Sequence, residues 1–152
     1  MDPGANLPAM GSWKILVRNL VAAVLGVVLA FILIAVAQVV SARIYPPPPG
    51  LDFRDATVMA EYIRTVPVGV LIAVLLGYFI GVAGGAWLAT RLSASRHKRQ
   101  GGMVGALFFI ASVMNLSSFP HPAWFWVANL VLVPLAAWLG LAFGEPDERP
   151  LD

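Results

Sequence analysis

Few residues in this sequence have both the side chain and the setting for chemistry. His121 comes first: it sits in Phe119-Pro120-His121-Pro122, directly before Trp124-Phe125-Trp126. A neutral imidazole at a membrane boundary can ligate the metal of a haem or chlorophyll-type ring. No second ligand accompanies it, so a turn histidine is the plainer reading and no cofactor is expected beyond bound lipid. His97 lies in a basic loop and reads as solvated. There is no cysteine, which removes disulfides, thiolate metal sites and thiol nucleophiles. No catalytic, metal or nucleotide motif rises above background, and the expectation is a protein that is not an enzyme and binds no nucleic acid.

The remaining candidates are neutral. Gln38, Ser41, Ser112, Asn115 and Asn129 lie within or near long apolar runs. Such groups can hydrogen-bond between helices, at about 0.6–2 kcal/mol each. Structural bonding is the expected role, and lining of a shared polar path by Gln38, Ser41, Ser112 and Asn115 is the alternative. No Asp, Glu, Lys, Arg or His falls in the core of a run. Proton-coupled pumps and many transporters depend on buried ionisable groups, so those classes are disfavoured.

Those residues are carried by apolar segments. Hydrophobic residues make up 59% of the chain and charged residues 12%, against about 25% charged in ordinary soluble domains. Four runs, 20–37, 66–89, 103–119 and 123–143, are free of charge and long enough for helices across the roughly 30 Å hydrocarbon core. The reading is a single all-α domain over 1–152. It is a polytopic membrane protein with four transmembrane helices at about 15–42, 66–91, 102–119 and 122–143. Residues 1–11 are polar and small, and the first run is too long for a cleaved signal.

Charge orients the spans. Arg91, Arg96, His97, Lys98 and Arg99 crowd the second connection, and Lys14 and Arg18 precede the first span. Basic residues near span ends mark the cytoplasmic side. Both termini are therefore expected in the cytoplasm. Trp13, Tyr45, Trp124 and Trp126 fall where an aromatic belt would lie. Pro134 should free the carbonyl of Leu130 and kink the fourth helix, with Asn129 near enough to compensate.

The first outer loop opens with Tyr45 and four prolines, 46–49, which favour a polyproline rod of roughly 12 Å. A short amphipathic helix over 53–65 is expected on the periplasmic face. Asp52 would be its N-cap and Asp55 its third residue. Phe53, Ala56, Met59, Ala60 and Ile63 would form its apolar side. Pro67 suits the first turn of the next span.

The strongest pattern lies in the second span. Small residues recur every fourth position: Gly69, Ala73, Gly77, Gly81, Gly85, Ala89 and Ser93. Residues four apart share a helix face, and a face without side chains lets another backbone approach. Ala22, Gly26 and Ala30 form a shorter stripe in the first span, making spans one and two the expected pair. The stripe could be used within the chain or between subunits. Leu71, Val74, Leu75, Tyr78 and Val82 lie on the other faces and suit lipid or bulkier neighbours.

The stretches 44–50 (IYPPPPG), 81–89 (GVAGGAWLA) and 121–126 (HPAWFW) resemble a family of small four-helix bacterial membrane proteins. That resemblance implies an inner-membrane location and carries no assigned activity. Small multidrug transporters are not resembled, because no acid lies in the first span. Membrane glutathione-transferase-like proteins use polar and charged helix residues that are absent here. The functional expectation is a non-catalytic accessory or structural subunit. It would pack with membrane lipid and with other membrane subunits or itself. A small homo-oligomeric channel or transporter is the alternative.

Overall fold

The computed structural model describes residues 9–52, 54–94 and 98–145. Over these the chain is all-helical. A long apolar run, rich in Val and Ile as well as Ala and Leu, forms α1 over Ala9–Ile44, about 54 Å at 1.5 Å per residue. It stops where the prolines begin. They supply no N–H, and Pro46 disfavours helical geometry at Tyr45, whose own N–H still donates to Ser41 O at 2.8 Å. A turn closes the proline segment: Leu51 N–H donates to Pro48 O, and Gly50 has φ +80°. Pro at the second turn position and a positive-φ glycine at the third are the type II pattern.

Helix α2 spans Ala56–Thr65, three residues shorter at its start than the sequence suggested. Asp55, rather than Asp52, is the N-cap. Its carboxylate accepts from Thr57 N at 2.8 Å and Val58 N at 3.2 Å. Asp52 instead accepts from Arg54 N at 2.9 Å, forming the turn before the helix. Both aspartates can satisfy backbone donors two residues on, and composition does not say which turn becomes the helix. Phe53 lies outside the described residues. Ile63 is buried, Met59, Ala60 and Tyr62 are half-buried, and Ala56 is exposed.

Helix α3 spans Val68–Leu92, α4 Arg99–Ser118 and α5 Ala123–Gly144, with Pro134 accommodated inside α5. With α1, these are four helices long and apolar enough to cross a membrane. Helix α4 is the most polar, and it satisfies its hydroxyls on its own backbone. Ser112 donates to Phe109 O, Ser117 to Val113 O and Ser118 to Met114 O, at 2.8–2.9 Å. Ser112 therefore does not supply an interhelical bond.

Helix α3 is the hub. It packs on α1, α4 and α5; α4 also meets α1 and α5, while no Cα of α1 comes within 8 Å of a Cα of α5. Three neighbours explain why α3 has two buried faces. Leu71 and Leu75 pack with Leu116 and Phe125, and Val82 joins Ala30, Val104, Phe108 and Val133. Leu75 is only 5% exposed, so its face belongs to the core and not to lipid. The large outward residues of α3 are Val68, Ile72, Leu76, Ile80, Trp87 and Leu92.

Small residues let the backbones meet. A Cβ built on Gly85 would lie 2.5 Å from Gly26 O, and one on Gly26 would lie 2.6 Å from Gly85 O. Further along, a Cβ on Gly81 would meet Ala30 O at 2.9 Å, and one on Gly77 would meet the Ala37 methyl at 2.9 Å. One on Gly69 would strike the Tyr45 hydroxyl. Each step of four up α3 is thus a step down α1, as antiparallel helices require. Ala22, Ala30 and Ala89 are buried along this seam and Ala73 is half-buried. A second seam joins α5 to α3. Cβ atoms on Gly140 and Gly144 would meet Ala86 at 2.8 Å and Trp87 O at 2.8 Å respectively. Ala136, Gly140 and Gly144 are themselves spaced by four, a second small-residue period in the sequence.

Candidate functional site

The two ends of the bundle differ in what they can do. At the basic end, polar groups tie connections and helix termini together. Asn19 Oδ1 accepts from Ala94 N at 2.9 Å. The Ser93 hydroxyl is within reach of Asn19 Oδ1 and of Gln100 Oε1, at 3.2 and 2.9 Å. Arg18 Nε donates to Leu92 O at 3.1 Å, supplying a donor and a positive charge to the C-terminus of α3. Lys98 pairs with Glu145 at 3.1 Å, both about half exposed, which makes it a weak surface pair. Of the basic cluster, Arg96 and His97 lie outside the described residues. This end is built to close a bundle; Ser93 ends the small-residue stripe of α3, whereas Asn19 and Gln100 carried no periodic signal that marked them out.

At the proline end the helices leave a cavity of about 390 Å³. Below it α1 and α4 are in contact, through Gly26 near Val104 and through the Phe31 and Phe108 rings 5.1 Å apart. Nearer the end the cavity lies between them. Gln38 and Ser41 of α1, Asn115 of α4 and His121 of the α4–α5 turn line it. Leu71, Val74 and Tyr78 of α3 and Phe125 of α5 form its deeper wall. Tyr78 is ten residues into α3, about 15 Å from the helix start. Met59, Tyr62 and Ile63 of α2 face the same space. No Cα of α2 comes within 8 Å of a Cα in another helix, so α2 reaches the cavity through its side chains.

His121 is oriented within this site. Its Nδ1 lies 3.1 Å from Phe119 O. A carbonyl only accepts, so Nδ1 carries the proton and Nε2 of the neutral ring is left as an acceptor. The ring stacks on Phe125, with centroids 4.9 Å apart and planes 10° apart. Two prolines fix the backbone on either side of it. Among the described residues no group of three or more His, Cys, Asp or Glu could hold a metal ion. His121 is a single imidazole, and it shares the cavity lining with the neutral side chains of Gln38, Ser41, Tyr62 and Asn115.

The sequence candidates thus divide. Gln38, Ser41, Asn115 and His121 come together around one cavity. Ser112 is turned to its own helix. Asn129 is 2% exposed, and its Oδ1 has no hydrogen-bond partner among the described residues. Pattern reading missed Tyr45, Tyr62, Tyr78 and Phe125 as members of a common site, because each came from a different element. No family model, curated protein or solved structure matches this chain, and its geometry carries the functional reading.

Proposed function

We propose that this is a non-catalytic integral protein of the bacterial inner membrane, an accessory subunit that packs within a larger membrane complex. The carrying observation is the outer face of α1. Leu20, Val24, Val28, Ile32, Val36 and Val40 are spaced by four and all are 46–63% exposed. Only 17% of the apolar window of α1 is buried, against 33% in each of the other three long helices. The glycine seam of α1 is occupied by α3, which leaves this bulky aliphatic ridge to lipid and to a neighbouring subunit. Membrane embedding is supported by Trp13, Trp87 and Trp138 near one end of the bundle and Tyr45, Trp124 and Trp126 near the other, two girdles of amphipathic rings. The basic connection supports placing that end in the cytoplasm and α2 on the periplasmic boundary.

Site-specific photo-cross-linking from Val28 and Ile32 in intact membranes tests the subunit reading. A discrete protein adduct at both positions is expected. Adducts to lipid alone overturn it. A reporter fused after Asp152 tests the orientation, and activity on the periplasmic side reverses it. The homo-oligomeric channel has less support: the polar candidates line a cavity at one end, and below it Ala30, Val82 and Phe108 pack as closed core.

A further inference from the structure

We infer that the cavity at the proline end binds a small uncharged amphiphile with a flat, oxygen-bearing ring, the chemistry of a quinone-type headgroup with an apolar tail. Three features of the lining point there. The first is charge: among the described residues no Asp, Glu, Lys or Arg contributes to it. A phosphate or ammonium headgroup would be desolvated there without a counter-charge, which is strongly unfavourable. The second is aromaticity. Tyr45, Tyr62, Tyr78, Phe119 and Phe125 line the space together with the His121 ring. Aromatic faces and edges favour offset or edge-on contact with another flat ring. The third is hydrogen bonding. The Gln38 and Asn115 amides and the Ser41 and Tyr62 hydroxyls can donate to ring oxygens. Nε2 of His121 is the acceptor that a ring hydroxyl would use.

Size and place agree with this. A volume near 390 Å³ falls within the roughly 300–1,000 Å³ of small-molecule sites. Apolar walls with a few fixed polar groups are their usual make-up. The cavity lies at the ends of apolar helices, where a headgroup meets water and its tail meets hydrocarbon. Helix α2, bridging the opening through Met59, Tyr62 and Ile63, can admit a ring by side-chain movement without breaking a helix–helix seam. Binding alone is inferred, with no redox step.

The test uses the full-length protein in detergent and a benzoquinone carrying a decyl chain. Trp124 stands edge-on to Phe125 with ring centroids 5.7 Å apart, and Trp126 packs against the same cluster. Quinones quench indole fluorescence, so a background with Trp13, Trp87 and Trp138 changed to Phe reports this end only. Saturable quenching is expected. His121→Phe, which keeps the stack on Phe125 but removes the acceptor, should weaken binding of the matching decyl quinol, read by its competition with the quinone, about three- to tenfold. Gln38→Leu should weaken quinone binding by a similar factor. Ser41→Phe should abolish both by filling the space. Decylbenzene, with the same tail and no oxygens, should compete at least tenfold less well than the quinone. Quenching that rises without saturation, equal competition by decylbenzene, or unchanged affinity in both His121→Phe and Gln38→Leu would overturn the inference. Because binding is read in detergent, its failure leaves the subunit reading, tested by cross-links in membranes, untouched.

Discussion

Replacing Gly85 by alanine perturbs the α1–α3 seam with one carbon. The new Cβ would sit 2.5 Å from Gly26 O and 2.8 Å from the Ala30 methyl. Favourable non-bonded separations are about 3.5–4.0 Å, so the helices must part locally by close to 1 Å. A gap of about 0.5–1 Å forfeits a quarter to a half of each affected contact. Overpacking of this kind costs about 1–3 kcal/mol. Alanine recovers about 0.5–1 kcal/mol over glycine within a helix. Overpacking less the gain in helix propensity leaves a net loss centred on roughly 1 kcal/mol. At about 2–4 °C per kcal/mol for a chain of this size, Tm in detergent should fall by a few degrees. Gly102→Ala is the matched control. It is also helical, but its Cβ would meet nothing within 4 Å, so propensity acts alone and Tm should rise. A thermal melt of both variants in one detergent decides the matter. Gly85→Ala at or above the parent Tm, with Gly102→Ala also raised, would show that α1 and α3 do not approach as closely as described.

Leu75→Ala should cost about 2–5 kcal/mol, because it opens a cavity among Leu116 and Phe125, whereas the neighbouring exposed Leu76→Ala should stay within about 0.5 kcal/mol; equal effects in a melt would contradict the placement of the two faces. Asn129→Leu should be neutral or stabilising, since it removes a buried oxygen that has no partner; a marked drop in Tm would mean that the amide is satisfied by a bound group. Asp55→Ala removes the cap of α2 at a local cost of about 1 kcal/mol. Hydrogen exchange at Thr57 and Val58 should then quicken while α3 is unchanged, and Asp52→Ala should leave those two amides protected.

Much of this molecule is local in origin and therefore legible along the chain. Uninterrupted apolar runs force backbone groups into helices that satisfy themselves, and their lengths follow from counting residues. Prolines 46–49 must end α1, because they supply no donors. The four-residue period in α3 marks a face where a backbone can come close, whatever arrives there.

Which neighbour arrives is decided only in three dimensions. The period in α3 does not say that Gly85 meets Gly26, nor that the opposite face, with Leu71, Leu75 and Val82, is buried just as deeply. Apolar side chains suit lipid and protein core equally, since neither offers them a hydrogen bond, so composition cannot separate the two. Likewise Asp52 and Asp55 are equivalent as caps until the turn at Gly50 sets where α2 begins. The cavity is the least local feature. Gln38, Tyr62, Tyr78, Asn115 and His121 come from four helices and a turn, each unremarkable alone. They share a space because α1 and α4, in contact at Phe31 and Phe108, leave a gap nearer the proline end that α2 covers without filling. A void of this kind depends on the relative placement of whole helices, a property no single segment encodes.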